Sequence, residues 1–523
     1  MLGRLKAVQA GYHLDRCCME GTRQSLLDQI IDWVANRSDQ NNNLQSNTYW
    51  LFGSPGMGKT TLAHSICANF HDREQLAGAF FCRRDDPDLS KPRNIIPTLI
   101  NELAGIFPPF RRIVAKHLQN DPNLRPESMR YSLILDLIQL LPCRPEQTLV
   151  FVIDALDECG DAKSRPPLLK ALTDATTCIP WLRIIITSRP ENDIERFFNR
   201  LPLSSYSACN LSTDQAASDD LRVFARSRFD FVARSWTLST PWPEESLFNE
   251  AISQANGLFI FVETVALALE KCADPTKSLE ATVRGSASSS LKPLYGLYSS
   301  ILDAQIVHSH AEFRKMFGVL LIVAQYRALH EETIAELAGM SPILATKWVN
   351  DLSSLLYRDE GADGGIRVRH LSISDFFLSD SCQADYRVNL EDANAQLGIA
   401  CLRTMIGQLR FNICELEDSR LANADVKDLP SQIKKNISDA LQYSSLYWSN
   451  HVCFSPNGGN LAVCGNLKEF FEGVYPLFWI EVLSIMGMVP IGAPTLRRMI
   501  TWAKVRIVLA CHWFSFHDGS NSP

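Results

Sequence analysis

The segment GSPGMGKTT, Gly53 to Thr61, sets three glycines, a proline, a lysine and two threonines between a short aromatic-apolar run and a helix-forming one. Gly53, Gly58, Lys59 and Thr60 satisfy the spacing G-x-x-x-x-G-K-[ST], a turn whose successive backbone N–H groups gather around phosphate oxygens. Without side chains at Gly53, Gly56 and Gly58, phosphate can approach the main chain, and the helix start behind the turn adds partial positive charge. Ser54, Pro55, Met57 and Thr61 complete the expected cradle. Lys59 is expected to neutralise the outer phosphates, and Thr60 to offer a hydroxyl to Mg²⁺.

A phosphate turn needs acids opposite it, and TLVFVIDALDECG supplies them. The apolar run ends at Asp154, whose carboxylate should emerge at the carboxyl edge of a sheet and hold Mg²⁺. Asp157 and Glu158 follow three and four residues later, and either has the chemistry to polarise an attacking water. A third run ends IIITSRP. Arg189 should leave the same sheet edge, where a planar cation can clamp a terminal phosphate.

Four short apolar runs, TYWLF, AGAFFC, TLVFVID and LRIIITS, suit strands buried on both faces, and helical stretches such as KTTLAHSICANF and NIIPTLINELAGIF lie between them. Alternating strand and helix predicts a parallel sheet covered by helices. Ahead of it, residues 1 to about 45 read as a helical lead-in, with Leu26, Leu27, Ile30, Ile31 and Val34 on one face of TRQSLLDQIIDWVANR, ended by SDQNNNLQSN. Beyond residue 200 the runs are helical, as in LFNEAISQANGLFIFVETVALALEKC, and SASSSL at 286–291 reads as a linker. From Phe313, three short helices, a turn DEGADGG and a strand IRVRHLS describe a winged-helix domain, followed by a mostly helical tail without an internal repeat.

Bulk numbers exclude several classes. A chain of 523 residues holds several domains and buries its own cores, so it needs no disulfide or metal staple. Fifteen cysteines lack the paired spacing of a zinc site and read as reduced thiols of a cytosolic protein. The formal charge of −7 argues against general binding of nucleic acid, which draws on clustered Lys and Arg. PILATKWVNDLSSLL, the candidate recognition helix, carries the single cation Lys347, so nucleic acid is not expected as a partner. The N-terminus lacks the apolar core of a signal peptide. GVYPLFWIEVLSIMGMVPIGAP, interrupted by Glu481 and by prolines, is expected to be a buried helix rather than a membrane span.

Taken together, GSPGMGKTT, VFVIDALDE and IIITSRP, in that order, resemble the NACHT class of signal-transducing P-loop NTPases, most of all its fungal branch. CMEGTRQSLLDQIIDW, ANGLFIFVETVALAL, VRHLSISDFFL and ALQYSSLYWSNHV extend the similarity over most of the chain. The resemblance implies an α/β P-loop NTPase domain at 46–200, a helical domain at 201–305, a winged helix at 306–385 and a helical region at 386–523. It also implies ATP and ADP as ligands with Mg²⁺, slow hydrolysis, and a closed ADP state that opens on exchange. Protein partners would be sensor or effector domains, with homo-oligomers forming on activation. His370 falls where the family's winged-helix histidine reaches the β-phosphate of ADP. Thr22 and Arg23 fall where relatives line the adenine pocket, whereas the proline expected after Gly-Leu is replaced by Phe259. Relatives carry an effector domain before the switch and repeats after it. This chain shows neither, which suggests partners encoded elsewhere or a truncated product. The competing reading is a turnover ATPase or nucleotide-dependent transferase.

Overall fold

The computed structural model describes residues 2–35, 46–121, 132–141, 143–213, 216–286, 293–306, 308–359, 364–418, 421–454 and 461–517. Most of SDQNNNLQSN, of SASSSL and of the DEGADGG turn, as well as the last six residues, lies outside them. The chain divides into two compact units, Met1–Ser300 with His370–Ser372, and Ile301–Arg369 with Ile373–Pro523.

In the first unit, strands β1 (Thr48–Phe52), β2 (Leu76–Phe81), β3 (Leu149–Asp154), β4 (Leu182–Ser188) and β5 (Ser207–Asn210) form one parallel sheet in the order β2-β3-β4-β1-β5. Four of these are the apolar runs of the sequence. β5 is not legible there, because SACN is short, polar and at the sheet edge, where no second layer demands apolar residues. Alternation within each strand feeds two cores. Trp50, Phe151, Ile153 and Ile184 face one, and Tyr49, Leu51, Val150, Val152 and Ile185 face the other.

Helices α1 (Gln24–Ala35), α2 (Lys59–Asp72), α3 (Ile95–Ile106), α4 (Pro108–Asn120), α5 (Leu133–Gln139), α6 (Arg165–Cys178) and α7 (Asn192–Asn199) clothe the sheet. They are followed by α8 (Ala216–Ser235), α9 (Glu245–Ala255) and α10 (Phe259–Leu269). The run 247–272 is therefore two helices, parted where Asn256 (φ 46°) and Gly257 (φ 80°) take left-handed backbone that no helix continues through.

The N-terminal segment also departs from the helical expectation. Before α1 it holds only two 3-10 turns, Leu2–Leu5 and Leu14–Arg16, and it lies along the domain as a strap. The Phe81 N–H donates to the Ala10 carbonyl at 3.0 Å on the edge strand β2, His13 N–H to His64 Nδ1 at 3.1 Å and Cys18 N–H to Ser65 Oγ at 2.7 Å. Tertiary backbone bonds to the edge strand take the place of a local helix.

The second unit is mostly helical. Helices His310–Val323, Glu331–Ala338 and Pro342–Asp351 precede an antiparallel pair, Leu356–Arg358 with Ile366–Val368. Leu390–Gln408 then packs on Asp439–Phe454, where Gly398 lets the backbone of Val452 approach. At that contact the Tyr443 hydroxyl, His451 and Asn394 form a buried hydrogen-bonded chain. The stretch expected to be a buried helix is helical at Tyr475–Ile485 and buries Trp479, Val482 and Leu483, but Leu477 and Ile480 face solvent. Among the described residues no helix is long and apolar enough to cross a membrane.

Candidate functional site

The carboxyl edge of the sheet gathers the chemistry because of strand order. β4 lies between β1, which leads into the phosphate turn, and β3, which ends in Asp154. Register aligns Phe52 with Ser188 and Ile153 with Ile186, so all three strands terminate at one level. Ligands of open parallel sheets bind at that edge.

Gly53 to Gly58 make the connection from β1 to α2, with Gly56 at φ 85° and Gly58 at φ 83°. Both are left-handed values that glycine adopts without strain. The turn is gripped from behind. The Gly56 carbonyl accepts from the Ile260 N–H of α10 at 3.3 Å, and the Met57 carbonyl from Arg23 Nη2 at 3.0 Å. Because a trans peptide points its N–H away from its C=O, the amides of Met57 and Gly58 are turned toward the inside of the loop. Met57 is buried and its sulfur takes the Ser212 hydroxyl, while Ser54 is exposed and Pro55 half-buried. Thr22 and Arg23 are buried beside the loop, and the Arg23 guanidinium lies 5.2 Å from the Phe259 ring centroid and 4.0 Å from Asp220.

Lys59 opens α2, and its ammonium donates to the carbonyls of Gly53 at 2.8 Å and Ser54 at 2.9 Å. Desolvation lowers its pKa to about 8, against the pull of Asp157 and Asp154. Thr60 lies close enough to Asp154 to favour its charged form, and the next residue, Thr61, is half-buried in the same turn of helix. Asp154 is 1% exposed and accepts the Thr187 hydroxyl at 2.5 Å. Burial pushes its pKa up to about 6, with the Thr187 bond and the nearby Thr60 opposing.

Ala155, at φ 51°, bends the chain out of β3 into the 3-10 turn Leu156–Glu158. That turn aims two acids differently. Asp157 is 5% exposed, and its Oδ1 accepts the Arg189 N–H at 2.9 Å while Oδ2 lies 3.3 Å from Arg189 Nε. Glu158 accepts the Arg84 N–H at 3.3 Å. Its desolvation, and then the charge of Asp157, push its pKa up to about 8.

His370 belongs to the same unit. Its Nδ1 takes the Ser372 N–H at 3.2 Å and lies 2.6 Å from Ser372 Oγ, which is 2.8 Å from the Tyr298 hydroxyl. Accepting a backbone N–H at Nδ1 assigns the ring hydrogen to Nε2. Burial, with Arg189 and Lys59 nearby, lowers the pKa to about 3, so the ring is a neutral donor. The structure thus brings Lys59, Thr60, Asp154, Asp157, Glu158, Arg189 and His370 into one electrostatic neighbourhood.

Thr187, Ile260, Ser212 and Arg165 escape the sequence reading. Thr187 carried a usable signal, since it alternates with Ile186 on β4 one residue before the strand end. The others act from distant positions and leave no local pattern.

Residues 21–189 match the family described as nephrocystin 3, N-terminal. Among curated proteins, none matches the chain. Solved structures similar to it include a Walker-type ATPase of Pyrococcus abyssi, at 14% identity and TM-score 0.34, covering 71% of this chain and 99% of that one. A STAND protein with a tetratricopeptide repeat sensor from Pyrococcus horikoshii has 13% identity and TM-score 0.39, covering 95% of this chain and 65% of its own length. The ORC1 protein of Aeropyrum pernix in complex with DNA has 13% identity and TM-score 0.33, covering 72% and 96%. The expectation that nucleic acid is not a partner is corrected here, since solved structures similar to the chain include this ORC1 protein in complex with DNA. The parallel sheet, its strand order and the turn at 53–60 are those of a P-loop NTPase fold, and the segment that holds the turn and strands β1 to β4 is similar to the nephrocystin 3 N-terminal family.

Proposed function

We propose that this chain is a nucleotide-operated switch that binds ADP and ATP, hydrolyses slowly and changes state on exchange. The observation that supports it best is the convergence of a glycine turn, a lysine and three acids on one sheet edge beside a neutral histidine. Inward amides at Met57 and Gly58 fit the oxygens of a di- or triphosphate. Thr60 and Asp154 are a hard oxygen pair suited to Mg²⁺, which when bound supplies charge neutralisation at the terminal phosphates. Lys59 would exchange its two carbonyls for phosphate oxygens.

Glu158 is the better candidate for holding a water proton, since Asp157 is engaged twice by Arg189. With a pKa near 8 it lies close to the range in which a general base works at neutral pH. Arg189 would meet the terminal phosphate, and the His370 Nε2–H would donate to a nearer one. The domain limits 46–200, 201–305, 306–385 and 386–523, the winged-helix reading of the three helices and their antiparallel pair, and protein partners or oligomers on activation belong to the same proposal. A role in fungal non-self or stress signalling, and a cytoplasmic setting, rest on the sequence resemblance.

The test is to purify the chain, denature it and identify the nucleotide released. Retained ADP with negligible steady-state turnover, the ADP being lost in Lys59→Ala, supports the switch. Rapid multiple turnover without a partner refutes it in favour of a turnover ATPase or transferase.

A further inference from the structure

The connection after β3 and the connection after β4 are tied together twice, in opposite senses. Asp157 of the first meets Arg189 of the second, and Arg165 of the first meets Asp193 of the second, with Arg165 Nε 3.0 Å from Asp193 Oδ2. Neither of these last two atoms makes a hydrogen bond among the described residues, so their contact is one of opposite charges, each the counter-ion of the other. Arg165 then reaches back, and its Nη1 donates to the Asp157 carbonyl at 3.0 Å. Both side chains are largely buried, at 10% and 12% exposure. An arginine at the first position of a helix is ordinarily solvated. This one is followed by Pro166 and Pro167, whose fixed φ holds the helix start in place, and Asp161 braces the preceding turn through the N–H groups of Lys163 and Ser164.

We infer that Arg165, paired with Asp193, is a positioning residue that holds the acidic turn Leu156–Glu158 in register with Arg189, and so sets the triphosphate end of the site. The inference rests on the nucleotide reading above. Its physical content is a division of labour. Diphosphate is captured by the amides of residues 53–60 and by Lys59, which belong to the connection after β1 and not to the two connections this pair joins. Discrimination of a third phosphate depends on Arg189, whose position passes through Asp157 and hence through Arg165. Desolvated charges are costly unless paired, so the pair holds one geometry and tolerates little drift.

The experiment measures the affinities of the full chain for ADP and for a non-hydrolysable ATP analogue, both with Mg²⁺, by calorimetry. Variants are Arg165→Lys, which keeps the charge but not the reach to both partners, and the charge-neutral double Arg165→Met with Asp193→Asn. Thermal unfolding is followed alongside. Expected is ADP affinity within about threefold of the parent, analogue affinity about tenfold weaker in the double variant, and partial retention in Arg165→Lys. Equal loss for both ligands, or no loss for either in folded variants, overturns the inference. Failure of both variants to fold assigns the pair to structure alone and overturns it too. A parent chain that binds neither nucleotide sinks the nucleotide reading itself, a result distinct from all of these.

Discussion

Glu158 carries the sharpest consequence at the scale of single residues. Its folded pKa, about 8, lies above the ordinary carboxyl value because burial and Asp157 disfavour its charge. A group raised in this way contributes stability that is complete below the ordinary carboxyl range and is lost as pH climbs through about 8. Glu158→Gln removes that loss. Relative to the parent, the variant should be more stable at pH 9 than at pH 5 by roughly 4 kcal/mol, read from urea unfolding at the two pH values. The same substitution should leave nucleotide affinity nearly unchanged and cut any hydrolysis by about a hundredfold, the usual size of a lost general base. Equal hydrolysis would move the role to Asp157. His370→Ala should speed ADP release several-fold while altering ATP binding little. Release of a fluorescent ADP analogue at an unchanged rate would show that the Nε2–H holds no phosphate.

At the scale of elements, the turn between β1 and α2 separates two effects that glycine can have. Gly56 and Gly58 share a left-handed φ, but a Cβ on Gly56 would lie 2.2 Å from Ile260 Cγ2, whereas one on Gly58 meets nothing within 4 Å. Gly58→Ala therefore costs backbone strain alone, about 1 kcal/mol, while Gly56→Ala must also push α10 away. Fluorescence titration should show the loss of nucleotide affinity at Gly56 exceeding that at Gly58 by at least tenfold. Similar losses would mean that the grip of Ile260 is immaterial. This turn was legible in the sequence because its function is local: spacing alone sets the amides. So were the four apolar strands, whose two-sided burial writes continuous hydrophobic runs. The Arg23 grip, the Arg165–Asp193 pair and β5 were not legible, since each is defined by partners between 20 and about 160 residues away. The left-handed bend at Ala155, which orients Asp157 and Glu158, carries no glycine or asparagine to announce it.

For the whole molecule, the division into two units has a thermodynamic signature. Each has its own buried residues, and the residues of the proposed nucleotide site lie within the first. A ligand that binds only the folded form stabilises what it binds, by about 2.7 kcal/mol at a hundredfold excess over its dissociation constant. Scanning calorimetry with ADP and Mg²⁺ should therefore raise the transition of the first unit and leave that of the second near its original temperature. Lys59→Ala should abolish the rise. A uniform shift of all heat absorption would mean that the two units unfold as one.

The strap formed by the first residues has a further consequence, for synthesis. Residues 8–18 leave the ribosome before any strand exists to receive them, and the N–H of Phe81 that pairs with Ala10 is made some seventy residues later. This segment must thus wait, unstructured and partly apolar, until the edge it seals has been translated, and during that interval it is itself open to foreign pairing.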